Sequence, residues 1–350
     1  MRNLNLFTGL IFLMILLPKN TMADLRSAAV DGYAFLQDQS DHSGVAVVFT
    51  AESPSAFTDT FYTNASGSFT AGITEGLYSV KYVKEHYVTI HLPDIILFDA
   101  DVSLEDKTLQ GPYIELSGSV SGTLEESYRY LVVQNIWIPT NDSLIITGGV
   151  ELYFSPGTHL GVSGVLKTNV SGTDSILFTS LEANPGIAYW SGINFTSSIA
   201  SNSVLSNIKI EYADVAITCS SSSPTINDNI FRNNSIGIEL SSSSSPVISD
   251  NLIETNSNQG IRIHDSSPTI SNNTIRNNSI GVEVGGSSSL SQITNNVIED
   301  NNAQGILINA SASPTISNNT ISNNHDGIKV MEVFWNYSPV SRQSNSDKIA

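Results

Sequence analysis

Cysteine is nearly missing from this sequence, and that alone removes several classes of protein. The 350 residues hold one cysteine, which excludes a disulfide framework and every metal site built from several thiolates. Bases are scarce too: 15 Lys and Arg stand against 33 Asp and Glu, a net charge of −18. Nucleic acid is therefore excluded as a partner, because phosphate neutralisation needs clustered Lys and Arg. Charged residues of both signs make up only 14% of the chain, so uncharged polar groups must carry the surface. Ser, Asn and Thr do this, and they thicken toward the C-terminus. Beyond residue 23 no stretch is long and apolar enough to span a bilayer.

What is present begins with an export pattern. Arg2 precedes an apolar stretch over residues 6–17, followed by Pro18, Lys19 and the small-residue run Thr21-Met22-Ala23. A charged start, a short hydrophobic region and small residues before a cleavage point define a secretory signal peptide. Residues 1–23 are expected to be removed, leaving a secreted or cell-surface product with no membrane span.

Residues 24–110 read as a small β-domain. Val45, Val47 and Phe49 alternate, as do Phe69 with Ala71 and Tyr78 with Val80, the period of half-buried strands. Turn residues fall between them at Asn64-Ala65-Ser66-Gly67 and Glu75-Gly76. The segments Gly44-Val45-Ala46-Val47, Thr63-Asn64-Ala65-Ser66-Gly67-Ser68-Phe69 and Gly76-Leu77-Tyr78-Ser79-Val80 resemble the carboxypeptidase regulatory-like family. The resemblance covers roughly 60 residues and implies a small, usually non-catalytic β-sandwich. It departs at His86-Tyr87, where the family commonly places Gly before the aromatic.

Residues 111–330 are a repeat array. Asn229, Asn251, Asn273, Asn296 and Asn319 recur every 22 or 23 residues. Pro224, Pro246, Pro268 and Pro314 keep the same register, with Leu290 in place of the missing proline. Gly237, Gly260, Gly281, Gly305 and Gly327 follow at matching offsets. A unit this short, with period-two alternation and no helical run, suits one coil of a parallel β-helix. Four inward columns follow from the spacing. They start at Ile226, Phe231, Ile238 and Leu240 and run through Ile316, Ile321, Ile328 and Val330. Asparagine at a fixed turn position accepts left-handed backbone and can bond side chain to side chain along the stack. Between residues 112 and 220 the repeat is degenerate. Leu144-Ile145-Ile146 reads as a short strand there, and Ser155-Pro156-Gly157 and the segment 190–210 are similar to early coils of the right-handed parallel β-helix proteins of the pectin-lyase-like superfamily. An all-β chain with about ten coils after a β-sandwich is the expected fold. Residues 331–350 leave the repeat, as a cap or as a truncated product.

The resemblance implies a fold more than an activity. A polysaccharide lyase on this fold would need several acids holding Ca²⁺ beside a base, and a glycoside hydrolase would need two carboxylates flanking the scissile bond. The candidates are Glu211, Asp214 and Lys209 in the degenerate coils. For Ca²⁺ they are Asp99 with Asp101 on one strand face, and Asp228 with Asp250 in one turn column, where plain turn preference competes. His86 and His91 sit five apart, on opposite faces of any strand, and form no ligand pair. Another β-helix branch is similar to periplasmic copper-site maturation proteins. Copper wants Met, Cys and His. Here Met331 alone follows the leader, Cys219 falls in an inward column, and His159, His264 and His325 are scattered. Copper handling is not expected, and no cofactor is, with Ca²⁺ left open. The aromatics Tyr128, Tyr130, Trp137, Tyr153, Tyr189, Trp190 and Tyr212 crowd into the early coils. Trp137, Tyr153, Tyr189, Trp190 and Tyr212 are the candidate glycan-stacking residues, with core filling as the competing reading. The expectation is a secreted scaffold that binds a polysaccharide, a cell-envelope glycan or a protein. A lyase or hydrolase acting on acidic polysaccharides such as pectin is the alternative.

Overall fold

A computed structural model describes residues 27–331 except 38, 54–55, 99–100, 127, 170–174, 183–184, 287–289 and 310–311. The leader, Asp99 and the tail beyond Met331 lie outside the described residues. The chain divides into two compact units, Met1–Pro112 and Tyr113–Ala350.

In the first unit, Ser27–Leu36 alternates exposed and buried residues along its length. It pairs antiparallel with Ser68–Thr74 and parallel with Val102–Ser103 and Lys107–Leu109. A second sheet orders Thr58–Tyr62, Ala46–Ser53, Gly76–Val83 and Ile90–Leu97. The inward faces of the two sheets share one core, with Val30, Ala34 and Phe69 from the first and Val47, Phe49, Tyr78 and Val80 from the second. This is a β-sandwich. The expected turn forms where the Asn64 carboxamide accepts the amides of Ser66 and Ser68, at 3.0 and 3.1 Å, and Gly67 takes φ +83°.

The second unit is a parallel β-helix. One strand per coil builds a nine-stranded parallel sheet running from Gly122–Leu124 to Thr315–Ser317. Among the described residues there are thus nine coils, where the spacing predicts about ten. Each regular coil adds two more short strands, such as Ile230–Arg232 and Ile236–Ser241. Every inward column predicted from spacing is a register column. Ile226, Ile248, Ile270, Ile293 and Ile316 pair in succession. So do Phe231, Ile253, Ile275, Ile298 and Ile321. Their side chains are buried, apart from Ile316 in the last coil. The degenerate coils obey the same rule with larger residues: Phe154, Phe178 and Phe195 replace isoleucine in the core.

Polar order comes from two buried asparagine ladders. Asn229, Asn251, Asn273, Asn296 and Asn319 form one, and Asn234, Asn256, Asn278, Asn301 and Asn324 the other. In each, a side-chain Oδ1 accepts the backbone amide of the asparagine one coil earlier, as from Asn251 to Asn273 at 3.0 Å. Its Nδ2 donates to a strand carbonyl, as from Asn273 to Ile248 at 2.9 Å. Spacing alone assigns left-handed backbone and stacking to one asparagine. The structure separates them. Positive φ falls on the residue before, at Asp228, Asp250, Asn272, Asn295 and Asn318. A buried side chain bonding two coils needs extended backbone to point inward, so the adjacent exposed residue makes the turn.

The repeated glycines answer to space. A Cβ on Gly260 would lie 2.7 Å from the Gly281 carbonyl oxygen, and one on Gly281 would lie 2.4 Å from that of Gly305. Coils can approach to strand-pairing distance at this corner only without a side chain.

Candidate functional site

Outward-facing side chains decide what this surface can do. One column is registered as Glu211, Arg232, Glu254, Arg276, Glu299 and Ser322. Arg232 Nε lies 2.6 Å from Glu211 Oε1, and Arg276 Nη2 lies 2.9 Å from Glu254 Oε2. A second column is registered as Trp137, Gly161, Asn194, Thr218, Glu239, Arg262, Glu283, Leu307 and Lys329. Within it Arg262 bonds Glu239, and Glu283 receives Gln259 and Asn309 at 2.6 and 2.8 Å. Opposite charges alternate from Glu211 to Glu299 in the first column and from Glu239 to Glu283 in the second, so Arg232, Arg262 and Arg276 are each flanked by acids at the inter-strand spacing of a sheet.

This arrangement absorbs the best catalytic candidate. Glu211 is only 6% exposed, and its carboxylate sits between Arg232 and Lys209, the latter at 3.4 Å. The hydrogen bond from Arg232 to Glu211 is the main cause that holds the arginine's guanidinium above the ordinary pKa. A carboxylate held between two cations is the first rung of the ladder. Lys209 is its neighbour, while Asp214 is exposed in the next turn and gives its backbone carbonyl to Ile236 N at 2.9 Å.

Two of the Ca²⁺ candidates, Asp228 and Asp250, are turn residues. Asp228 and Asp250 have φ of 56° and 58°, and Asn227 donates to the Asp228 carboxylate at 2.6 Å. Asp101 Oδ1 accepts the amide of Ala29 at 3.1 Å. Among the described residues no three of His, Cys, Asp and Glu come together in a way that could hold a metal ion.

The aromatic candidates separate into inside and outside. Trp190 is fully buried, stacked on Phe154 with ring centroids 3.9 Å apart, and its indole N–H donates to Glu211 O at 2.8 Å. It cannot meet a sugar. Trp190 precedes its strand and meets the next coil through a bridge to Ala213 and the Asp214 amide, which its carbonyl accepts at 2.7 Å. Tyr153 packs edge-on against Tyr113 and donates its hydroxyl to Glu151 Oε2 at 2.9 Å; burial first, then that bond, pushes its pKa up. Tyr189 is half-buried against the core, its pKa pushed up to about 12 by burial and Glu182. Tyr212 is half-buried, with φ 64°. Trp137 differs: it is 49% exposed. Its register partner in the following coil is Gly161, and a Cβ on Gly118 would lie 3.8 Å from its ring. Its register partner in the preceding strand is Ser119, so small residues on both sides leave the indole half exposed. Tyr128, at 52% exposed, is the other open ring of these coils. Sequence could not sort these rings, because the early coils lack the strict period that tells inward from outward.

The profile of the family described as "Periplasmic copper-binding protein (NosD)" matches residues 166–345. Comparison with the curated proteins gives no match. Among solved structures, the chain is similar to a cohesin–X-dockerin complex from Acetivibrio cellulolyticus, with 18% identity, a TM-score of 0.20, and 23% of this chain and 56% of that chain covered. A DUF3823 family protein from Parabacteroides merdae follows with 13% identity, a TM-score of 0.18, and 25% and 46% covered. These alignments span about half of each solved chain, and such scores carry no argument about this one.

Proposed function

The chain belongs to the NosD family of periplasmic proteins, and from that premise we propose that it is an exported, non-catalytic scaffold that binds carbohydrate along the outside of its β-helix. The observation that carries this reading is the state of the outward charges: Glu211, the best placed acid, is buried between Arg232 and Lys209. Export by the leader of residues 1–23 accords with the family's compartment. No helix among the described residues is long and apolar enough to cross a membrane. The N-terminal sandwich, taken as a carboxypeptidase regulatory-like module, serves as a non-catalytic companion.

Trp137 is the residue on which glycan stacking rests. An open indole between Ser119 and Gly161 offers a flat apolar face, and Asn194 and Thr218 continue its column with groups that bond sugar hydroxyls. The test is a glycan array probed with the purified chain, followed by affinity measurement on any hit. Binding without turnover is expected, and Trp137→Ala should weaken it about tenfold or more, the loss of about 1.4 kcal/mol or more of stacking. Ca²⁺-dependent unsaturated product from an acidic polysaccharide would overturn the scaffold reading and favour a lyase. Equal binding by Trp137→Ala would remove the site.

A further inference from the structure

The family's description names copper, and the chemistry of this chain's donors disagrees with it. Copper sites in proteins are made from thiolate, thioether and imidazole groups brought to one point. The whole sequence has one cysteine, four methionines and six histidines from which to make one. Three of the methionines, Met1, Met14 and Met22, lie in the leader pattern.

The remaining donors are either committed or apart. Cys219 is fully buried, stacked in an inward column between Phe195 and Leu240. Burial pushes its thiol pKa up, so the thiolate a metal would need is disfavoured there. His42 Nδ1 accepts the Leu36 amide at 3.0 Å in the first unit. His264 Nδ1 lies 3.1 Å from Asp265, and its register partner in the next coil is Gly285, which offers no side chain. His159 likewise pairs with Gly192. Met331 stands just past Val330, where the last described strand ends. Donors stacked in one outward column on adjacent coils would be the natural metal site of a β-helix, and here the following coil presents glycine beside each of these two histidines, with Asn135 before His159.

We infer that this chain is a member of the NosD family that holds no copper of its own, its coils serving as a metal-free scaffold. The inference rests on the donor set and not on the carbohydrate reading, so either can fail alone.

The test is a titration of the full chain with Cu(I) alone, under reducing conditions, against a chromophoric Cu(I) chelator. The chelator is expected to take all the copper, and the melting temperature of the chain should not move with added Cu(I), since a ligand that binds the folded state must raise it. One copper retained per chain, or a melting temperature that climbs and saturates at one equivalent, would overturn the inference. Cys219→Ala and His264→Ala, assayed the same way, then show which donor was misjudged. Glycan binding measured with and without Cu(I) should be identical, and loss of glycan binding at every copper level would count against the carbohydrate reading only.

Discussion

At the scale of single residues, the asparagines of this chain carry two jobs that composition cannot tell apart. Asn273 is 1% exposed, and its Oδ1 accepts both the backbone amide and the Nδ2 of Asn251, at 3.0 and 2.9 Å. Its own Nδ2 serves Ile248, Ser271 and Asn296. Asn272, beside it, has φ +59° and forms the exposed turn. Asn273→Ala should therefore cost about 3 kcal/mol, because buried donors on Asn251 lose their acceptor. Asn272→Gly should be nearly neutral, since glycine accepts left-handed backbone freely. Chemical denaturation of the two variants checks this, and equal losses would show that the ladder is no stronger than the turn.

At the scale of elements, each outward column behaves as one electrostatic object. Glu254 lies in register between Arg232 and Arg276 and bonds the latter at 2.9 and 3.0 Å. Its side chain is 15% exposed, so water screens the contacts only in part. Glu254→Lys would put three cations on adjacent rungs and should destabilise the fold by about 1–2 kcal/mol. Salt should return much of that loss, because it screens repulsion between partly exposed charges. Urea midpoints at low and high NaCl give the answer, and a penalty insensitive to salt would point to packing instead. Glu211 belongs to the same object, which is why a residue with the look of an acid–base catalyst is held as a structural ion.

At the scale of the molecule, several acids are buried in their protonated forms. Burial pushes Cys219 above its ordinary 9.0, and burial pushes Tyr153 above its ordinary 10.0 with help from Glu151. Tyr82, in the sandwich, is pushed up to about 12 by burial and Asp106, and Tyr189 to about 12 by burial and Glu182. The unfolded chain releases these protons at the ordinary values, while the folded chain keeps them. Their contribution is whole below about pH 9 and is lost progressively as pH rises toward the folded values. Denaturation midpoints should hold through neutral pH and fall above about pH 9. Tyr153→Phe and Cys219→Ala together should flatten that fall, and an unchanged slope would clear these two groups as its cause. At the acid end Asp326, held low by Gln304 and then by Lys329 and His325, should lose its contribution as pH drops below the ordinary carboxylate range.

Period and side-chain type were enough to read the regular coils. A repeat of 22 or 23 residues, with isoleucine at fixed offsets, places the inward columns from Ile226 onward, because only one register buries them together, although in the last coil Val330 ends its column 51% exposed. The alternating ladders follow from the same arithmetic. Three things lay beyond it. Trp190 in the core and Trp137 outside have the same chemistry, and only the stacking of Phe154 on one and the small register partners Ser119 and Gly161 of the other distinguish them. The burial of Glu211 depends on Arg232, 21 residues away, being its register partner in the next coil. The division of labour between Asn272 and Asn273 depends on which way each side chain faces. Spacing along a chain determines what stacks on what; accessibility, and with it which polar group is free to meet a ligand, is set by neighbours that meet only once the coils have closed.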